Sequence, residues 1–100
     1  MKGKEVNSMD TTRDVTIGQL VKSKAGRDKD RVFIIIAIID EQYVLIADGD
    51  LRKIDNAKKK KIRHLAVYNV ISHEIEKKIM LNEKVSNLVL RRELEKLGLN

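Results

Sequence analysis

Apolar residues in the first two thirds of the chain come in short β-branched runs broken by polar turns. Val15-Thr16-Ile17 and the stretch from Gly18 to Lys24 begin a first strand, in which Lys22 and Lys24 share one side at the two-residue period of extended chain. Gly26 ends it, where a turn can use a residue free to take positive φ. Val32–Ile39 is an eight-residue apolar run, too β-branched to favour a helix and apolar on both faces. Such a strand needs cover on each side, and each buried isoleucine contributes roughly 1.5–3 kcal/mol, so this run anchors the fold. Asp40-Glu41-Gln42 turns the chain into a third strand, Tyr43-Val44-Leu45-Ile46-Ala47. Asp48-Gly49 is a hairpin signal, predicting a short fourth strand at Leu51-Arg52-Lys53-Ile54. Residues 56–61 read as a solvated connection, and the alternation from Ile62 to Val70 predicts a fifth strand.

The period then changes. Ser72 can cap a helix with Glu74 and Glu76 in its first turn and Ile75 and Ile79 on one face, with Asn82 to stop it. Ser86 can cap a second, with Leu90, Leu94 and Leu97 as one stripe and Gly98 at the place of a left-handed cap. The expected fold is mainly β with C-terminal α: a loose lead-in over 1–14, a small five-stranded barrel over 15–70, and two short helices in 71–100.

Composition narrows the function. At 100 residues and 42% hydrophobic content the chain is one small globular domain with a modest core. It has no cysteine, which removes thiolate catalysis, thiolate metal sites and disulfides, and fits a reducing cytoplasm. Its longest apolar run is eight residues, against about 20 for a membrane span, and no apolar segment follows Lys2 and Lys4 as in a signal peptide. A soluble, cytoplasmic protein with no membrane partner is expected.

The net charge of +6 is unevenly spread. Lys22, Lys24, Arg27, Lys29 and Arg31 stand against Asp28 and Asp30, and Arg52, Lys53, Lys58, Lys59, Lys60, Lys61 and Arg63 against Asp55 alone. Between the two blocks, residues 32–51 carry only Asp40, Glu41, Asp48 and Asp50. A lone lysine run can be simply a solvated loop, but two clusters on barrel connections that fall on one side raise the potential that attracts phosphate. These twelve cations are the candidate RNA-binding residues. Aromatics are few, with Phe33 assigned to the core and Tyr43 to a barrel wall, so a surface that reads phosphates and shape on folded RNA is favoured over base stacking. His64 and His73 lack cysteine partners and a spaced carboxylate set, so no metal is assigned. Asp48-Gly49-Asp50 matches part of a calcium loop, but the closing glutamate is missing and a turn explains it. No nucleophile motif or glycine-rich phosphate cradle is present; no cofactor and no catalysis are expected.

Several of these stretches together resemble the KOW-type RNA-binding domain. They are Gly18 to Asp28, Val32–Ile39 closed by Asp40-Glu41, Tyr43 to Gly49, Arg52-Lys53, and Lys61-Ile62-Arg63-His64-Leu65, about half the chain and in the family's order. The resemblance is to bacterial proteins described as KOW-domain RNA-binding or ribosomal-protein-like, related to a eukaryotic and archaeal large-subunit ribosomal protein family. It implies an SH3-like barrel that contacts RNA through its first inter-strand loop, and association with the ribosome. The chain departs from the family at Asp30, where a second glycine is usual. The function expected is a non-catalytic RNA-binding module acting on rRNA or the ribosome. The alternative is a protein-interaction adaptor in transcription or translation, using its barrel as elongation factors of the NusG kind do, with the C-terminal helices offering a face to a protein partner.

Overall fold

Six antiparallel strands and two helices make up residues 6–97, the part of the chain described by a computed structural model. The strands are β1 (Val6–Ser8), β2 (Gln19–Ser23), β3 (Val32–Ile38), β4 (Tyr43–Ala47), β5 (Lys58–Lys61) and β6 (Leu65–Ile71), and the helices are α1 (His73–Met80) and α2 (Asn87–Lys96). They form one open sheet in the order β1-β6-β2-β3-β4-β5, with β1 and β5 at its edges. None of the helices is long and apolar enough to cross a membrane.

The sheet is buried on both faces, as the pattern of β3 requires. Phe33 and Ile35 point into a cluster with Val15, Val21, Val44, Ile46, Ile62, Leu65 and Val67. Val32 and Ile34 point the other way, into Leu20, Ala47 and Tyr68 on the sheet and Ile75, Val85, Leu90 and Leu94 from the helical segment. Alternation of side chains along a strand sorts these two sets. The double cover ends half-way along β3: the register shifts between Ile35 and Ala37, Ile36 is half-buried, and Ile38 is exposed.

Several strand boundaries differ from the sequence reading; the first predicted strand begins at Gln19, not at Val15. Leu51–Ile54 is not a strand. The Asp48 carboxylate accepts the N–H groups of Asp50 (3.0 Å) and Arg52 (2.8 Å), and Arg52 O accepts from Asp48 N and Gly49 N, which closes a tight turn where a hairpin strand was expected. The chain continues through a 3-10 turn at Ile54–Asn56, and the lysine run itself pairs with β4. Lysine suits a sheet edge because its stem lies along the strand while its charge stays in water and repels a second edge. Likewise Ile62–His64 is a 3-10 turn with Ile62 buried, and the last strand starts at Leu65. Within the expected lead-in, Val6–Ser8 pairs with β6 as a sixth strand, and Thr12 is buried, donating its hydroxyl to Asp40 O.

Both helices start where the sequence placed them. Ser72 Oγ accepts from Ile75 N and Ser86 Oγ from Val89 N. Asn82, at φ 57°, closes α1: its N–H reaches Ile79 O and that of Glu83 reaches Lys78 O, a left-handed cap. Leu90 and Leu94 are buried and Leu97 half-buried; Gly98 lies outside the described residues. Two glycine turns let the helices approach. Gly18 (φ 92°) accepts from Ser72 N, and a Cβ there would stand 2.6 Å from Ser72 O. Gly49 (φ 78°) lies under α2, where a Cβ would stand 2.3 Å from Asn87 O.

Candidate nucleic-acid interface

The β2–β3 loop and the β4–β5 connection lie at one end of the sheet, because β4 ends where β3 begins, with Ile34 opposite Ala47. Carboxylates lock the two together. Arg31 donates to Asp48 and to Asp50, both at 2.7 Å. The Asp48 hydrogen bond first, then that to Asp50, hold the Arg31 guanidinium above its ordinary pKa against its partial desolvation, so it is a permanent cation. Asp28 is buried, with Oδ2 3.8 Å from Lys58 Nζ and 4.0 Å from Arg52 Nε. Neither that oxygen nor Arg52 Nε has a hydrogen-bond partner, so the contact is ionic.

The twelve sequence-assigned cations therefore fall into groups. Arg31, Arg52 and Lys58 are engaged by carboxylates. Lys24 donates to Ser8 Oγ across to β1, and its backbone N–H to His64 O. Lys59 and Lys61 lean over the Tyr43 ring, with Nζ 4.6 and 5.9 Å from its centroid. Among the described residues Lys22, Arg27, Lys29, Lys53, Lys60 and Arg63 form no ion pair; Arg27, Lys29, Lys53 and Arg63 are exposed. β5 spreads its lysines over both faces of the edge. Lys58 and Lys60 lie opposite Ile46 and Val44, whereas Lys59 and Lys61 lie opposite Leu45 and Tyr43 on the outer face.

Asp30 keeps the β2–β3 loop tight despite its Cβ. It adopts φ 70°, its N–H reaches Ser23 O at 2.8 Å, and Ser23 N reaches Arg31 O at 3.0 Å. Aspartate is among the few residues that take this left-handed region readily. Sequence reasoning takes Asp28 as charge and Asp48 and Asp50 as charge and turn residues; in the structure all three carboxylates fasten the rim. The visible signal was a carboxylate inside a basic run, at Arg27-Asp28-Lys29. Tyr43, read as barrel wall, is half-buried on the outer face between two lysines.

What these features define is a small, mainly β protein with basic residues gathered along one edge strand and two adjoining loops. The chain belongs to the family of a Bacillus subtilis (strain 168) protein named "Putative ribosome-binding protein YbzG". The two are 32% identical over 71 residues, which is 71% of this chain and 96% of that relative. No protein-family model matches the chain.

Proposed function

We propose that the protein is a non-catalytic RNA-binding module of the cytoplasm that associates with the ribosome, and that its sheet folds on itself as an SH3-like barrel of the KOW type. The observation that carries this reading is the joining of two basic segments, distant in sequence, by Asp28, Asp48 and Asp50 at one end of the sheet. Carboxylates neutralise the inner cations there and hold the loops, so Arg27, Lys29 and Lys53 project from a fixed base, with Lys60 and Arg63 continuing along β5 and the turn after it. A fixed set of cations binds a polyanion with less ordering entropy than a mobile one. The family relationship to a protein named for ribosome binding supports rRNA as that polyanion.

Co-sedimentation with ribosomal subunits, before and after a high-salt wash, tests this reading. The protein is expected in the subunit fraction at low salt and in the supernatant after the wash. In filter binding to a structured RNA, about six phosphate contacts predict that log affinity falls with log salt at a slope of roughly −4. A protein that stays in the supernatant at low salt, or a slope near zero, would refute it.

A second reading, a protein-interaction adaptor, has one observation in its favour. Met80, Leu81 and Leu88 are large apolar residues left exposed in the helical segment. Capture of a partner that survives both nuclease treatment and charge reversal at Lys58–Lys61 would favour it.

A further inference from the structure

We infer that Tyr43, Lys59 and Lys61 form a stacking site for one unpaired nucleobase of the bound RNA. The ring takes the base and the two ammonium groups take the phosphates beside it. This inference rests on the RNA-binding reading above and names a site within it.

The chain has three aromatic residues, and two of them are buried in the two cores, Phe33 and Tyr68. Tyr43 alone is half-buried rather than buried. Its position explains why. On the outer face of β4, Ala47 is buried under the helices, Leu45 is half-buried and Tyr43 is half-buried, so the helical cover runs out toward Tyr43. On the other flank lies only β5, the last strand of the sheet.

The lysines are placed by register. Lys61 is directly opposite Tyr43, and Lys59, two residues back, shares its face; their Nζ atoms stand 5.9 and 4.6 Å from the ring centroid. Neither forms an ion pair among the described residues. Of the two acids that precede Tyr43 in the β3–β4 turn, Asp40 uses Oδ1 to accept the N–H groups of Gln42 and Tyr43, and Glu41 is exposed. A lysine over an exposed ring is held weakly, by a factor of about two to five, whereas stacking a base on an aromatic side chain raises affinity about 5- to 150-fold. A base therefore displaces the Lys59 ammonium from the ring, and the flexible stem carries it to the phosphate that arrives with the base. Arg63, exposed in the turn that follows β5, is the next cation along the chain from Lys61.

The test uses an RNA hairpin with one single-nucleotide bulge and the same hairpin fully paired, titrated into wild-type protein, Tyr43→Phe and Tyr43→Leu. Wild type and Tyr43→Phe are expected to prefer the bulged hairpin. Tyr43→Leu, which keeps apolar bulk on the sheet, is expected to lose about fivefold or more on the bulged RNA and little on the paired one. The wild-type protein supplies a readout without mutation: with two tyrosines and no tryptophan, its tyrosine emission should be quenched more by the bulged hairpin than by the paired one. Equal quenching by both RNAs, or a Tyr43→Leu variant that binds both as wild type does, overturns the stacking site and leaves the RNA-binding reading standing. Failure of wild type to bind either RNA below roughly 10⁻⁴ M, the weak end of non-specific affinity, removes both.

Discussion

Ser72 donates its hydroxyl to Glu93 Oε1 at 2.6 Å, so the residue that caps α1 is held by a buried carboxylate from α2. One oxygen thus caps a helix and ties it to its neighbour. Glu93 Oε2 is buried without a hydrogen-bond partner and has Lys96 Nζ at 3.8 Å. Glu93→Ala is expected to lower unfolding stability by about 1–3 kcal/mol in urea titration, since it strands a buried hydroxyl and opens space between the helices. Glu93→Gln keeps an acceptor for Ser72 and should lose less.

The glycine turns give a paired comparison. Gly26 and Gly49 have nearly the same backbone, φ 84° and 78°, but a Cβ at Gly26 meets nothing within 4 Å while one at Gly49 meets Asn87 O at 2.3 Å. Gly26→Ala should therefore cost about 1–2 kcal/mol, the strain of a left-handed alanine alone. Gly49→Ala should cost more, because α2 must shift, and its helical signal in circular dichroism should melt before the sheet.

Cations fastened by carboxylates and cations left free should separate in experiment. Arg31→Ala leaves the buried Asp48 without its 2.7 Å partner, though not without its two backbone N–H donors, and is expected to lower stability by about 1–2 kcal/mol, read as a lower urea midpoint. Lys29→Ala and Lys53→Ala, at exposed positions, should leave the midpoint unchanged. Each should instead make the salt slope of RNA binding shallower by about 0.7 to 1.

Asp30→Asn keeps a residue tolerated at φ 70° and removes one negative charge from the loop. Its stability should match wild type within about 0.5 kcal/mol, and its affinity for structured RNA at low salt should rise, an increase that vanishes at high salt. An unchanged low-salt affinity would place this loop away from the RNA.

Much of the fold could be read from local pattern. Val32–Ile38 announced itself through β-branching on both faces, and Ser72, Asn82 and Ser86 marked helix ends through side-chain chemistry that acts within a few residues. The lysine strand was hidden because propensity places Lys58–Lys61 in a loop, and only pairing with β4, settled by the long-range fold, makes it an edge. Asp48 misled for a related reason: its carboxylate captures two backbone amides and turns a hairpin signal into a closed turn. At the candidate site, the cations were visible as runs, but sequence cannot say which are fastened. Asp28 reaches Lys58 across 30 positions, and nothing local in either residue records that.

The turn at Asp48-Gly49 meets three obligations at once: its carboxylate fastens Arg31, its glycine admits the start of α2, and its carbonyl accepts Arg91 Nη1 at 2.6 Å. Removing the helices would strip the covering from Leu20, Ile34 and Tyr68 and also unmoor the platform from which the basic loops project. The C-terminal third of the chain is thus a foundation for the charged rim, and cutting it away would blur the rim before any lysine was touched.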